Sequence, residues 1–230
     1  MNRVEQFIHN RTISSSSASQ EFKQITEKFA ELARRRGFEV VPYNQDGPRH
    51  FQRLEPAQQI VILQTFKRYY DFCAQISNWG LAPKEDRQYL WRMIKRLGVR
   101  PSSDLFAELE DGDIIEIYDC VGFVQIFRNF RFYTVCSYSL DDVLCRPWFE
   151  LYERDDAVTE KISATVMDAV ASGKSDLIFY DVGEHRMDEI DSDRKYHCIV
   201  ENRFIAPLLD DHDTVVALVN VVRPVSIARG

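Results

Sequence analysis

The chain has 230 residues, a formal net charge of −7, 45% hydrophobic residues and 12% aromatics. That length accommodates one large domain, or a domain of about 100–120 residues with an extension, and the composition supplies a core. The acidic balance argues against a whole-chain nucleic-acid binder, which needs basic surface to neutralise phosphates. Five scattered cysteines with no CxxC or CxxCH give no support to a thioredoxin motif, a zinc knuckle or covalent haem attachment. They read as reduced, mostly buried thiols. The N-terminus, MNRVEQFIHNRTISSSSASQ, lacks a signal-like apolar core, and no apolar run reaches membrane-spanning length. The expectation is a cytoplasmic protein with no membrane contact.

Residues 1–20, with the serine run Ser14–Ser17, read as a flexible polar lead. From Glu21, Phe22, Ile25, Phe29 and Leu32 recur at helical spacing until Gly37. Arg34, Arg35 and Arg36 fit the solvated last turn of that helix better than a phosphate site. After VPYNQDGPRH, Glu55-Pro56 opens a second helix that runs to about Trp79. Its stripe of Ile60, Leu63, Phe66, Tyr70 and Cys73 is widened by Tyr69, Phe72, Ile76 and Trp79. Pro83 starts a third helix to Leu97, closed by Gly98, so residues 21–100 form an all-helical region.

Beyond Pro101 the pattern changes. Ser102-Ser103-Asp104 caps a short helix, and Ile114–Tyr118 with Phe123–Phe127 read as a hairpin. Short helical pieces follow from Asn129 to Tyr152, then an amphipathic helix over Ala157–Ser172 with Gly173 as its stop. Three final runs, Leu177–Val182, Tyr196–Leu209 and Thr214–Val222, complete the order β-β-α-α-α-β-β-β. This predicts an α+β domain, an antiparallel sheet with helices on one face.

Several segments carry a resemblance to the PAS sensory domain. Ile114-Ile115-Glu116-Ile117-Tyr118 and Val124-Gln125-Ile126-Phe127-Arg128-Asn129 are similar to its opening hairpin. Tyr138-Ser139-Leu140-Asp141-Asp142-Val143-Leu144 resembles its YSxEELL segment, and Arg146-Pro147-Trp148-Phe149-Glu150-Leu151 the following GRPWFEL. Arg154-Asp155-Asp156 stands where the family often has PDD, and Ala206–Asp210 with Thr214–Leu218 resembles its closing strand pair. The likeness covers residues 110–225 and implies a five-stranded PAS-like sheet. It also implies a pocket between sheet and helices, here bounded by Phe132, Cys136, Trp148, Phe149, Ile162, Val166 and His197. Trp148 is expected as a buried anchor. Either a small ligand or the side chains themselves fill the space.

The cofactor of that pocket is left open, with flavin and haem disfavoured. Aligned with the flavin-binding light sensors of the PAS family, this chain has Trp148 at the reactive cysteine and Cys145 at the glycine, so Cys145 reads as structural. The long helix has no histidine, and His197 alternates with Cys198 in a strand, so only one of the two faces inward. The adjacent carboxylates of Asp210-Asp211-His212-Asp213 read as a polar connection in preference to a metal site, and Asp188–Asp193 as a solvated loop. No GxSxG, Walker A, Rossmann, HExxH or kinase signature occurs.

The resulting expectation is a sensory protein that acts by binding and not by catalysis. A homodimer or protein partner is expected on the Tyr69, Phe72, Ile76 and Trp79 face, unless those residues pack within one monomer. An unrecognised enzyme and a transcription regulator are the alternatives.

Overall fold

The computed structural model describes residues 15–78, 86–101, 104–192 and 194–229. Helix α1 spans Ser15–Arg35, starting six residues before Glu21. Residues 15–20, expected in the flexible lead, are therefore helical, with Ala18 fully buried. The helix ends as a glycine permits: Gly37 takes φ +85°, and the Gly37 and Phe38 amides bond back to the Arg34 and Ala33 carbonyls. Arg34 and Arg35 pair with Glu31 on the surface. Arg36 instead lies over the rings of Tyr89 and Phe130, 5.2 and 5.0 Å from their centroids.

Helices α2 (Arg49–Arg53), α3 (Pro56–Asn78) and α4 (Asp86–Leu97) complete the N-terminal region. Aromatic contacts knit them together. Phe22 stacks on Phe51 with centroids 4.0 Å apart, and Phe29 meets Phe66 and Tyr69 at 5.3 Å. The expected partner face of α3 is consumed inside the chain. Tyr69, Phe72 and Ile76 are 5%, 3% and 0% exposed, and Tyr69 and Phe72 both set their rings edge-on to Phe127 of the sheet. The flank of α3 that carries these three is caught between α1 and the sheet, so they cannot form a partner surface. Trp79 and Pro83 lie outside the described residues.

The remaining elements are β1 (Arg100–Pro101), α5 (Leu105–Glu108), β2 (Ile114–Asp119), β3 (Gln125–Arg128), a 3-10 turn (Phe130–Thr134), α6 (Leu140–Cys145) and α7 (Trp148–Leu151). Then come β4 (Tyr152–Glu153), α8 (Asp156–Ser172), β5 (Ile178–Phe179), β6 (His185–Glu189), β7 (Tyr196–Leu209) and β8 (Val215–Arg229). All pairings are antiparallel, in the order β3-β2-β8-β7-β6-β4, with β1 and β5 also on β7.

One strand is not where the apolar pattern put it. Only Ile178–Phe179 of the run 177–182 pairs, while His185–Glu189 supplies the strand beside β7. Ile178, Tyr180 and Val182 pack instead against Ile162 of α8. The polar strand is tolerated because its inward carboxylate is satisfied: Glu189, 4% exposed, accepts from the Ser137 and Tyr196 amides and the Ser192 hydroxyl. The acidic stretch from Asp188 is thus partly interior, not a solvated loop.

Strand parity divides the sheet. Ile115 and Ile117, paired with Val221 and Val219, join Phe204 and Ala206 in one core with α1, α3 and α4. Ile114, Glu116 and Tyr118, paired with Val222, Asn220 and Leu218, face the other way, toward α6–α8. Helices α7 and α8 lie on this face, as expected, and the N-terminal helices α1, α3 and α4 cover the other. A register shift between Asn202 and Phe204 keeps the long β7 in step with its neighbours.

Candidate functional site

The segment leading to the site is fixed by its acids. Ser139 caps α6 in a capping box with Asp142. Asp141, 1% exposed, accepts the backbone amides of His50 and Phe51 at 2.9 Å, at the start of α2. Leu140 donates its amide to the Val41 carbonyl at 2.8 Å, and His50 Nε2 lies 3.2 Å from Asp142. Arg146 reaches Asp142 and Asp191 at 3.3 and 3.1 Å. The Cys145 thiol is pushed well up by burial and then by Asp141, so it is held protonated.

Helix α7 has one turn, and that decides its aromatics. Leu151 takes the inward position at 3% exposure, leaving Trp148 39% and Phe149 61% exposed. Trp148 is therefore a rim residue and not a buried anchor. Its ring meets Phe149 edge-on at 6.1 Å and carries the Arg154 guanidinium 4.9 Å above it.

Between α3, β3 and the α6–α7 segment runs a cleft of about 620 Å³. Val61 and Thr65 line it from α3, Gln125 and Arg128 from β3, and Leu144 and Trp148 from the third wall. Phe123, at φ +51° in the β2–β3 turn and 43% exposed, stands at its mouth. The polar residues of the β3 wall are compensated. Arg128 bonds Glu116 through Nη2 at 2.7 Å and Nε at 2.9 Å, and Gln125 donates to Glu116 and to the Tyr118 hydroxyl. Arg128 also sits 3.5 Å from the Phe132 centroid. Both members of the ion pair are about nine-tenths buried, so the pair brings no net charge to the cleft.

Of the residues expected at a pocket, Phe132 and Trp148 line this cleft. Cys136 lies in a second cavity of about 270 Å³ with Tyr138 and Tyr196. Phe149 projects outward, and Ile162 and Val166 anchor α8 on Tyr180, Ile205 and Leu218. His197 faces away from the pocket, 2.9 Å from Asp188, while its neighbour Cys198 points inward at Val135. The Asp210 carboxylate accepts the His212 and Thr214 amides of its own turn. Glu116, Gln125, Arg128 and Tyr152 were not anticipated. Glu116, Gln125 and Arg128 carried a signal as polar residues within the two runs read as apolar or alternating strands, and Tyr152 carried none.

Residues 114–229 run in the order expected of a PAS-like fold: a hairpin, short helices, a two-residue strand, one long helix and four further strands, all paired antiparallel. Among solved structures the chain is similar to a light-oxygen-voltage domain studied with a flavin analogue. That match has 21% identity, 54% of this chain, 82% of the other and a TM-score of 0.34. It is also similar to a sensory box sensor histidine kinase from Vibrio cholerae, at 12% identity over 62% of this chain and 98% of the other, with a TM-score of 0.33. These are loose likenesses, and what those proteins bind belongs to them. No protein-family profile and no curated protein matches the chain. Among the described residues no helix is long and apolar enough to cross a membrane.

Proposed function

We propose that this chain is a sensory module that works by binding a small ligand in the α3–β3–α7 cleft, without a reaction of its own. One observation carries the reading: the cleft has a wall from the N-terminal helices and a wall from the PAS-like domain. An occupant would touch both, so its presence would be felt directly where the two regions meet. The thiol that lines the cleft, Cys145, is held protonated and gives no nucleophile.

Native mass spectrometry of the purified protein tests the reading, because it detects a colourless ligand. The expected result is either a co-purified small molecule or saturable binding of apolar probes, and its loss on Val61→Phe, which narrows the cleft. Absence of both in the wild-type chain would overturn it. A protein partner, including a second copy, is the second reading, favoured by exposed Phe123 and Trp148 at the cleft and by outward-facing Phe149 beside Trp148.

A further inference from the structure

The cleft between α3, β3 and the α6–α7 segment offers an occupant no open charge. Among the described residues no carboxylate, lysine or histidine lines it. Its two guanidiniums are spent, Arg128 on Glu116 and the Tyr118 hydroxyl, Arg146 on Asp142, Asp191 and Glu150. A charged occupant would give up its water and meet no free counter-charge, which is costly. An uncharged one pays no such penalty, and the aliphatic walls favour an apolar body.

Most hydroxyls of the lining are spent or sealed. Tyr69 donates to the Arg128 carbonyl, and the oxygens Thr65 Oγ1 and Tyr152 Oη are buried away from the open space. Gln125 of β3 differs. Its Nε2 donates to Glu116 Oε1 at 2.9 Å and to the Tyr118 hydroxyl at 3.0 Å, which uses both amide hydrogens. A carboxylate held by a guanidinium only accepts, so the carboxamide cannot turn over. Its Oε1 is left with no hydrogen-bond partner among the described residues, and it is not among the sealed atoms. Gln125 is half-buried in the cleft wall, so that oxygen is what it presents there. An amide oxygen can only accept. The Tyr133 hydroxyl, shared between the cleft and the second cavity, can give or take and imposes no preference.

We propose that the cleft takes an uncharged, largely apolar molecule with one O–H or N–H donor, of the phenol or indole kind, whose donor is received by Gln125 Oε1. The apolar body lies along Val61 and Ile62 of α3 and Leu144 and Trp148 opposite. Glu116 is a positioning residue: by taking Nε2 it turns the carboxamide oxygen to the ligand. This rests on the reading of the cleft as a ligand site.

Calorimetry on the full chain at neutral pH separates the two claims with three probes on one ring system: 2-naphthol, 2-methoxynaphthalene and 2-naphthoate. Naphthol should bind about fivefold tighter than methoxynaphthalene, the size of one hydrogen bond. It should bind at least about tenfold tighter than naphthoate, whose charge finds no partner. Gln125→Met should abolish the preference over methoxynaphthalene while leaving the affinity of that ether within about threefold. If Gln125→Met does not fold, Gln125→Asn, which draws the carboxamide back by one methylene, should lower naphthol affinity alone. Methoxynaphthalene or naphthoate binding as tightly as naphthol, or a naphthol preference that these variants retain, would overturn the assignment and leave the cleft reading standing. Saturable binding of none of the three would overturn both.

Discussion

The Asp141 carboxylate accepts the Phe51 amide across 90 residues of sequence, tying the start of α2 to the start of α6. A second oxygen takes the His50 amide, so one buried side chain closes a helix end in the N-terminal region and docks it on the PAS-like domain. Asp141→Ala leaves two amide donors unpaired and should cost about 3 kcal/mol in urea unfolding. A cost below about 1 kcal/mol would show that water replaces the carboxylate.

The same residue predicts a pH dependence. Burial raises the Asp141 pKa above its ordinary 3.8, with the His50 and Phe51 amides opposing. A raised folded pKa means the folded state binds the proton more tightly. The linked stability is complete below 3.8 and is lost as pH rises through the folded value. The stability gap between wild type and Asp141→Asn should therefore widen as pH falls from 7 toward 4. A gap that narrows would mean that the amides, and not burial, set the titration.

Helix α7 separates two neighbouring truncations. Leu151→Ala removes a buried side chain and should cost about 2–5 kcal/mol. Trp148→Ala, at a partly exposed rim, should cost about 1–2 kcal/mol, mostly the stacking on Arg154 and Phe149. Chemical denaturation of both variants checks this, and the reverse order would turn α7 about its axis.

The Glu116–Arg128 pair should behave as a buried ion pair. Glu116→Leu alone strands the guanidinium and should cost about 3–5 kcal/mol. Adding Arg128→Met should recover much of that loss, because two apolar residues leave no stranded charge. A double-mutant cycle with no coupling would place both groups in water.

Removal of the N-terminal helices is the sharpest test of the two-faced sheet. A chain beginning at residue 104 exposes Ile115, Ile117, Phe127, Phe204 and Val219, all now beneath α1, α3 and α4. It should aggregate at concentrations where the full chain stays dispersed in sedimentation. A shortened chain that remains monodisperse would show that the sheet needs no helical cover.

Much of this architecture is written locally. Pro56 and the stripe from Leu63 to Ile76 suffice for α3, and β7 runs from Tyr196 to Leu209 as alternation and length require. Ser139 and the two aspartates after it announce a capped helix. These signals survive because periodicity and capping involve neighbours a few residues apart. The polar strand His185–Glu189 was not legible, since its inward glutamate is acceptable only beside Ser137, Ser192 and Tyr196.

By itself the sequence determined the kind and order of the longer apolar elements, because helix and strand there are set by local spacing of apolar residues. Only the tertiary structure decided which faces meet. It buried Tyr69, Phe72 and Ile76 under the sheet, put Trp148 at a rim, and paired Glu116 with Arg128. Those outcomes depend on strand register and on contacts across tens of residues, where the charge or burial of one side chain is set by others that no local pattern names.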